Sequence, residues 1–215
     1  MSEQHVAPPE PDRDTELFIE FVNTGQFSHG KPAERLPDGA ALRAWLAEHE
    51  LCGAHASAAE ADRALSAFRR LRTVVNDVTE RLASGREPSH AQVRAINDFL
   101  REGMHFHELR PSRDGSRYTM GHAGDDFAQA RASIAGSLAH YIADHDLRRL
   151  RICANDGCRW RFIDRSPAGR RIWCDMRTCG NRAKVARHRA RRRARPAVPR
   201  GARSSPTTLS GARPS

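Results

Sequence analysis

Lysine is nearly missing from this sequence. Only two of its 36 basic residues are lysine. A GC-rich genome produces the same bias, so arginine abundance alone does not identify a partner. Long apolar runs are missing too. No stretch approaches the roughly 18 consecutive apolar residues of a membrane-spanning helix, which leaves out membrane insertion. The first residues, MSEQHVAPPEPDRDTE, are acidic and proline-rich. They lack a basic segment followed by an apolar one, so no secretory leader is expected and the cytoplasm is the expected compartment. There is no glycine-rich phosphate loop, no nucleophile motif and no internal repeat. No catalytic residues are assigned, and the expectation is a protein that is not an enzyme.

Acidic residues are scarce in one region only. Residues 1–147 hold 16 Lys/Arg against 23 Asp/Glu, whereas residues 148–195 hold 17 against three. An acidic body therefore carries a strongly basic end, and an anionic partner is expected for that end alone. Cysteine is confined as well. Four of the five cysteines fall in one 27-residue window, and Cys52 stands apart as a small apolar residue of a helical region.

The expected fold class is α+β. A predominantly α-helical body carries a small β-hairpin and is followed by a C-terminal zinc finger made of a β-hairpin plus a basic helix. The divisions are a flexible tail (1–14), the helical body (15–147), the finger with its basic helix (148–195) and a disordered tail (196–215). ELFIEFVNTG reads as a buried helix ending near Gly25, and FSHGKPAERLPDG as a loop. Asp38 caps a helix to about His49, with Leu42, Trp45 and Leu46 inward. Ser57 with Glu60, and Ser89 with Gln92, are capping boxes: each side chain satisfies a backbone N–H at the other position. The first opens a helix with Ala61, Leu65, Phe68, Val75, Val78 and Leu82 on one face, stopping at Gly85. The second opens one with Val93, Ile96 and Leu100 inward, stopping at Gly103. Asp114-Gly115 marks a hairpin turn. From Asp125 to about His145 the helical period returns, with Phe127, Ile134, Leu138 and Tyr141 inward.

The cysteines follow the pattern Cys153-x4-Cys158-x15-Cys174-x4-Cys179. Two close pairs separated by a spacer suit a tetrahedral metal site. Four thiolates leave no open position, so one structural Zn2+ is expected. An iron–sulfur cluster also takes four thiolates, but the basic, hairpin-like surroundings favour zinc. The spacer reads as a hairpin: RWRFID, a turn at Pro167 and Gly169, and RIWC returning. Trp160 and Phe162 share a strand face and, with Ile172 or Trp173, would cover the metal. Gly180 suits a tight turn, and Asn181 suits an N-cap. RAKVARHRARRRAR then reads as a helix with a thin alanine face. Its candidate nucleic-acid contacts are Arg182, Lys184, Arg187, Arg189, Arg191, Arg192 and Arg193.

The run C-x4-C…F-I-D…W-C-x4-C-G-N-R resembles the CGNR zinc-finger proteins of bacteria, in which the finger follows an ABATE domain. It covers about residues 150–193, and FVNT at Phe21–Thr24 extends the likeness to the body. The resemblance implies a stress-induced transcription regulator that binds DNA through the finger. The body would then sense an unknown small-molecule or protein effector, or form a homodimer. Asn23 and Thr24 are candidate ligand or regulatory residues. Structured RNA is the alternative partner, because phosphate charge does not separate the two polymers. His105, His107 and Glu108 in HFHE suggest a metal site, but no third ligand at a standard spacing accompanies them. A solvent-facing strand is the expectation there.

Overall fold

The computed structural model describes residues 13–25, 27–28, 31–51, 57–103, 106–112 and 115–194. Cys52, Arg195, the 196–215 segment and most of the expected N-terminal tail lie outside the described residues.

The helical body is built as its pattern predicts. Helix α1 (Arg13–Asn23) begins inside the segment read as tail and buries Phe18, Phe21 and Val22 completely. The segment read as a plain loop contains two short paired strands, β1 (Phe27–Ser28) and β2 (Lys31–Pro32). Helix α2 (Gly39–Glu48) is capped by Asp38, whose side chain accepts from the Ala41 N–H. Helices α3 (Ala58–Ala83) and α4 (His90–Glu102) both start with complete capping boxes. After α4 come strands β3 (Phe106–Pro111) and β4 (Tyr118–Ala123), paired antiparallel with Leu109 opposite Met120. Helix α5 (Asp126–Asp144) closes the body.

The core is a string of aromatic contacts between helices. Phe18 meets Tyr141 at 5.3 Å, Phe21 meets Trp45 at 5.5 Å and Phe68 at 6.2 Å, and Phe68 meets Phe127 at 6.5 Å. Tilted and edge contacts of this kind add about 0.5–1.5 kcal/mol each beyond the area they bury. Two glycines set the close crossings. A Cβ on Gly39 would lie 2.3 Å from the Asp62 backbone nitrogen in α3, and one on Gly103 would lie 2.1 Å from the Ala132 Cβ in α5. The second crossing brings the C-terminal end of α4 against α5. Ile96 and Phe99 are buried and Leu100 is half-buried, but Val93, read as inward, is 43% exposed.

The finger follows a single 3-10 turn at Leu147–Arg149. Strand β5 (Leu150–Ile152) pairs antiparallel with β6 (Arg161–Ile163), placing Leu150 opposite Ile163. This corrects the expected hairpin. β6 pairs with the segment before the first cysteine, not with RIWC. The buried Asp164 explains the difference. Its carboxylate accepts from the backbone N–H groups of Ser166 and Arg171 and from the Ser166 hydroxyl. The Arg171 N–H is therefore spent on a loop and is not free for a ladder. A backbone bond from the Ala154 N–H to the Ile172 carbonyl at 2.8 Å ties the returning segment to the chain just after β5. The chain then makes one wide turn (Met176–Gly180) and enters helix α6 (Asn181–Ala194).

Candidate metal centre and nucleic-acid interface

The first knuckle is a turn built on Asn155. Its carbonyl accepts from the Cys158 and Arg159 N–H groups, and its side-chain oxygen accepts from the Gly157 N–H. These bonds hold Cys153 and Cys158 on one side. The second knuckle is built on Asp175, whose side chain accepts from the N–H groups of Arg177 and Thr178 while its carbonyl accepts from Gly180. The structure thus corrects two readings. Asp175 caps this turn, whereas Asn181 is already helical and donates its carboxamide N–H to the Arg177 carbonyl at 3.0 Å. Gly180 needs no left-handed backbone. It is small because a Cβ there would lie 2.7 Å from the Met176 sulfur and 3.3 Å from the Trp173 ring. The sequence carries a sign of each organiser. Asn155-Asp156-Gly157 is an Asx-turn pattern, and Asp175 directly precedes a run of backbone donors.

Together the knuckles bring all four sulfurs within 4.8 Å of one another. Cys158 and Cys174 are 3.7 Å apart, and Cys174 and Cys179 are 3.8 Å apart. Thiolates bound at about 2.3 Å around a tetrahedral Zn2+ stand about 3.8 Å from one another. The cluster has that size, and it is a site for one structural zinc. Burial makes uncompensated thiolates costly at two of the four positions. Burial pushes the Cys158 thiol up to about 11 and drives Cys174 higher still. At Cys179 burial also opposes ionisation, but the Asn155 carboxamide at 3.5 Å and the neighbouring thiols outweigh it and lower its pKa. Phe162 and Trp173 pack against the cluster. Trp160 (39% exposed) and Ile172 (57% exposed) do not cover it.

Helix α6 leaves the metal site with its cations outward. Arg182, Lys184, Arg187, Arg189, Arg191, Arg192 and Arg193 are all exposed, and α6 contains no acidic residue. At 3.6 residues per turn, Ala183, Ala186 and Ala190 form one narrow face. Lys184, Arg187 and Arg191 flank it on one side, and Arg182, Arg189 and Arg193 on the other. At the first turns this face looks into a cleft of about 430 Å3 lined also by Asn155, Asp156, Gly157 and Trp173.

Asn23 and Thr24 lie elsewhere, away from this cleft. Both are buried. The Asn23 carboxamide accepts from the Arg161 N–H at 2.9 Å and donates to the Arg161 carbonyl at 3.0 Å, as a neighbouring strand would. Thr24 donates to the Phe21 carbonyl at 2.7 Å and accepts from Arg72 at 2.8 Å, and Arg72 is also paired with Glu34. Their side chains join the body together and join it to the finger. Arg161 completes that joint, and nothing in the sequence reading singles it out. Its side chain is 1% exposed. It donates to Asn76 at 2.6 Å, to Glu80 at 3.1 Å and to the Arg159 carbonyl at 2.9 Å. Burial lowers its pKa, and Glu80 beside it works the other way. The charge is thus held inside by a carboxylate on α3. Of the HFHE residues, His105 lies outside the described residues, as do the side chains of His107 and Glu108.

A helical body bonded to a four-cysteine finger that ends in an exposed basic helix defines a two-part zinc-finger protein. Residues 15–145 match the ABATE family, described as "Putative stress-induced transcription regulator", and residues 149–192 match the CGNR zinc finger. The chain belongs to the ABATE family and carries a CGNR finger behind it. No curated protein matches it. Among the described residues, no helix is long and apolar enough to cross a membrane.

Proposed function

We propose that this protein is a transcription regulator that binds duplex DNA through α6, does no chemistry of its own and acts in the cytoplasm. The observation that carries the reading is α6 itself. Its seven exposed cations face no acidic residue on their own helix, and a metal site clamps its N-terminal end. Like charges at this density destabilise an isolated helix, and phosphates relieve that repulsion. Beyond the first turns, at Ala190, the narrow alanine face is clear of the finger and lets the helix approach a groove closely. The two flanking cationic stripes then reach the phosphates on either side, and arginines at the edge of the face reach guanine in the major groove. The helical body serves as the sensing or dimerising part.

The test is selection of genomic fragments by the zinc-loaded full chain, followed by duplex binding with structured RNA as competitor. A preferred duplex sequence that survives RNA competition supports the reading. Binding that RNA abolishes, with no preferred duplex, overturns it in favour of structured RNA. If six phosphates are neutralised, log K falls against log salt with a slope of about −5.

A further inference from the structure

We propose that the cleft at the joint of body and finger is a phosphate-binding site built from arginines of both parts. The cleft has a volume of about 390 Å3, inside the roughly 300–1,000 Å3 typical of ligand pockets. The C-terminal end of α3 forms one wall with Glu80, Ser84 and Arg86. The finger forms the other with Arg151, Arg159 and Arg171. Four arginines and one carboxylate thus line it. That carboxylate is already engaged by Arg159 at 2.9 Å and by Arg161 at 3.1 Å.

The arginines are held in place with most of their hydrogen-bonding capacity unspent. Each guanidinium has five N–H donors. Arg86 gives its Nε to the Ser84 hydroxyl at 3.0 Å. Arg151 gives one terminal N–H to the Gly169 carbonyl at 3.0 Å; its Nε, unpartnered among the described residues, is buried and not open to the cleft. Arg171 gives one to the Cys174 carbonyl and lies 5.1 Å over the Phe162 ring. Such fixed forks match an anion with several oxygens and more than one charge, which is the chemistry of a phosphate group. At the C-terminal end of α3 the carbonyls of Glu80, Arg81 and Leu82 take the N–H groups of Ser84, Gly85 and Arg86, so the arginines have to outweigh only the residual negative end of the helix dipole and Glu80.

Ala154 borders both this cleft and the one beneath α6. A phosphate can therefore arrive in two ways, from a nucleic-acid backbone running off α6 or on a free phosphorylated molecule. The first route rests on the DNA-binding reading; the second does not. Two variants of the zinc-loaded full chain separate them, Arg86→Gln and Arg151→Gln, each checked for zinc content and helical signal. Arg86 is exposed and lies outside the metal site, so it remains informative if Arg151→Gln unfolds the β5–β6 pair.

The first arm is calorimetric titration with inorganic pyrophosphate. Binding that weakens about tenfold in either variant, the value of one charge-assisted hydrogen bond, supports the site and a free ligand. The second arm is duplex binding across a salt series. A slope shallower by about 0.9 per arginine removed, with pyrophosphate inert, supports the site and a backbone phosphate. Failure of the chain to bind any nucleic acid would sink the proposed function and leave the pyrophosphate arm to decide the cleft. The site is overturned if both variants match the parent in pyrophosphate binding, or its absence, and in any salt slope.

Discussion

Replacing Asn23 by alanine should loosen the finger from the body without touching the metal. In the native chain Asn23 makes two buried bonds to the backbone of Arg161, at 2.9 and 3.0 Å. Alanine leaves that N–H and carbonyl buried and unmatched. Each unsatisfied buried group costs about 1–3 kcal/mol. Water entry relieves part of this, so the expected loss is about 2–4 kcal/mol. The assay is urea unfolding of the zinc-loaded chain, followed by far-UV circular dichroism and tryptophan fluorescence. Trp45 reports the body, and Trp160 and Trp173 report the finger. The parent should show coincident transitions, because Leu150 belongs to the body's core and Arg161 is bonded to α1 and α3. In Asn23→Ala the fluorescence transition should move earlier than the dichroism transition. Hydrogen exchange at Arg161 should rise in parallel. A stability loss under about 0.5 kcal/mol, a difference typical of surface substitutions, with unchanged exchange at Arg161, would refute the clamp.

Metal removal should act unevenly. Amide protection should vanish in 153–160 and 173–194 but persist in β5 and β6, which the body holds; equal loss across all of these would contradict that division. Gly39→Ala should cost at least about 2 kcal/mol, since its Cβ would strike the backbone of α3. Gly180→Ala should cost less than about 1 kcal/mol, because its nearest neighbour is the flexible, half-exposed Met176 side chain; thermal melts of both variants check the order. Asp164 should give the finger an acid limb. Burial raises its pKa, but bonds from Ser166 and the Arg171 N–H prevail and hold it below the usual carboxylate value. Its stabilisation is therefore complete above the unfolded pKa of about 3.9 and lost as pH falls through the lower folded value. Asp164→Asn should remove that limb, and an acid titration of the finger's tryptophan signal that is identical in parent and variant would speak against it.

Local rules carry much of this protein into view. Both capping boxes, the Asp38 cap and the long face of α3 depend on residues three or four apart. Backbone geometry alone sets those distances. The same holds for the four cysteines, whose paired spacing brings each knuckle together before any tertiary contact forms. The absence of acid from α6 is legible in the same way.

What sequence spacing does not encode is partner choice over long range. Nothing near Asn23 says that its carboxamide will meet a backbone 138 residues away, so it reads as a ligand-binding residue until Arg161 is seen beside it. Arg161 itself reads as one more surface cation until Asn76 and Glu80 of α3 close over it. The strand partner of β6 departs from the expected one because Asp164 diverts the N–H groups of the following loop. The face of α4 departs from its pattern only at Val93, in the first turn; the rest of that face, Ile96 and Leu100, still packs inward. Sequence by itself determined most of the helices, the metal and the charge, since each follows from neighbours along the chain. Tertiary structure decided that body and finger share one joint and that four arginines meet across it, because burial and ion pairing depend on which surfaces come together in space.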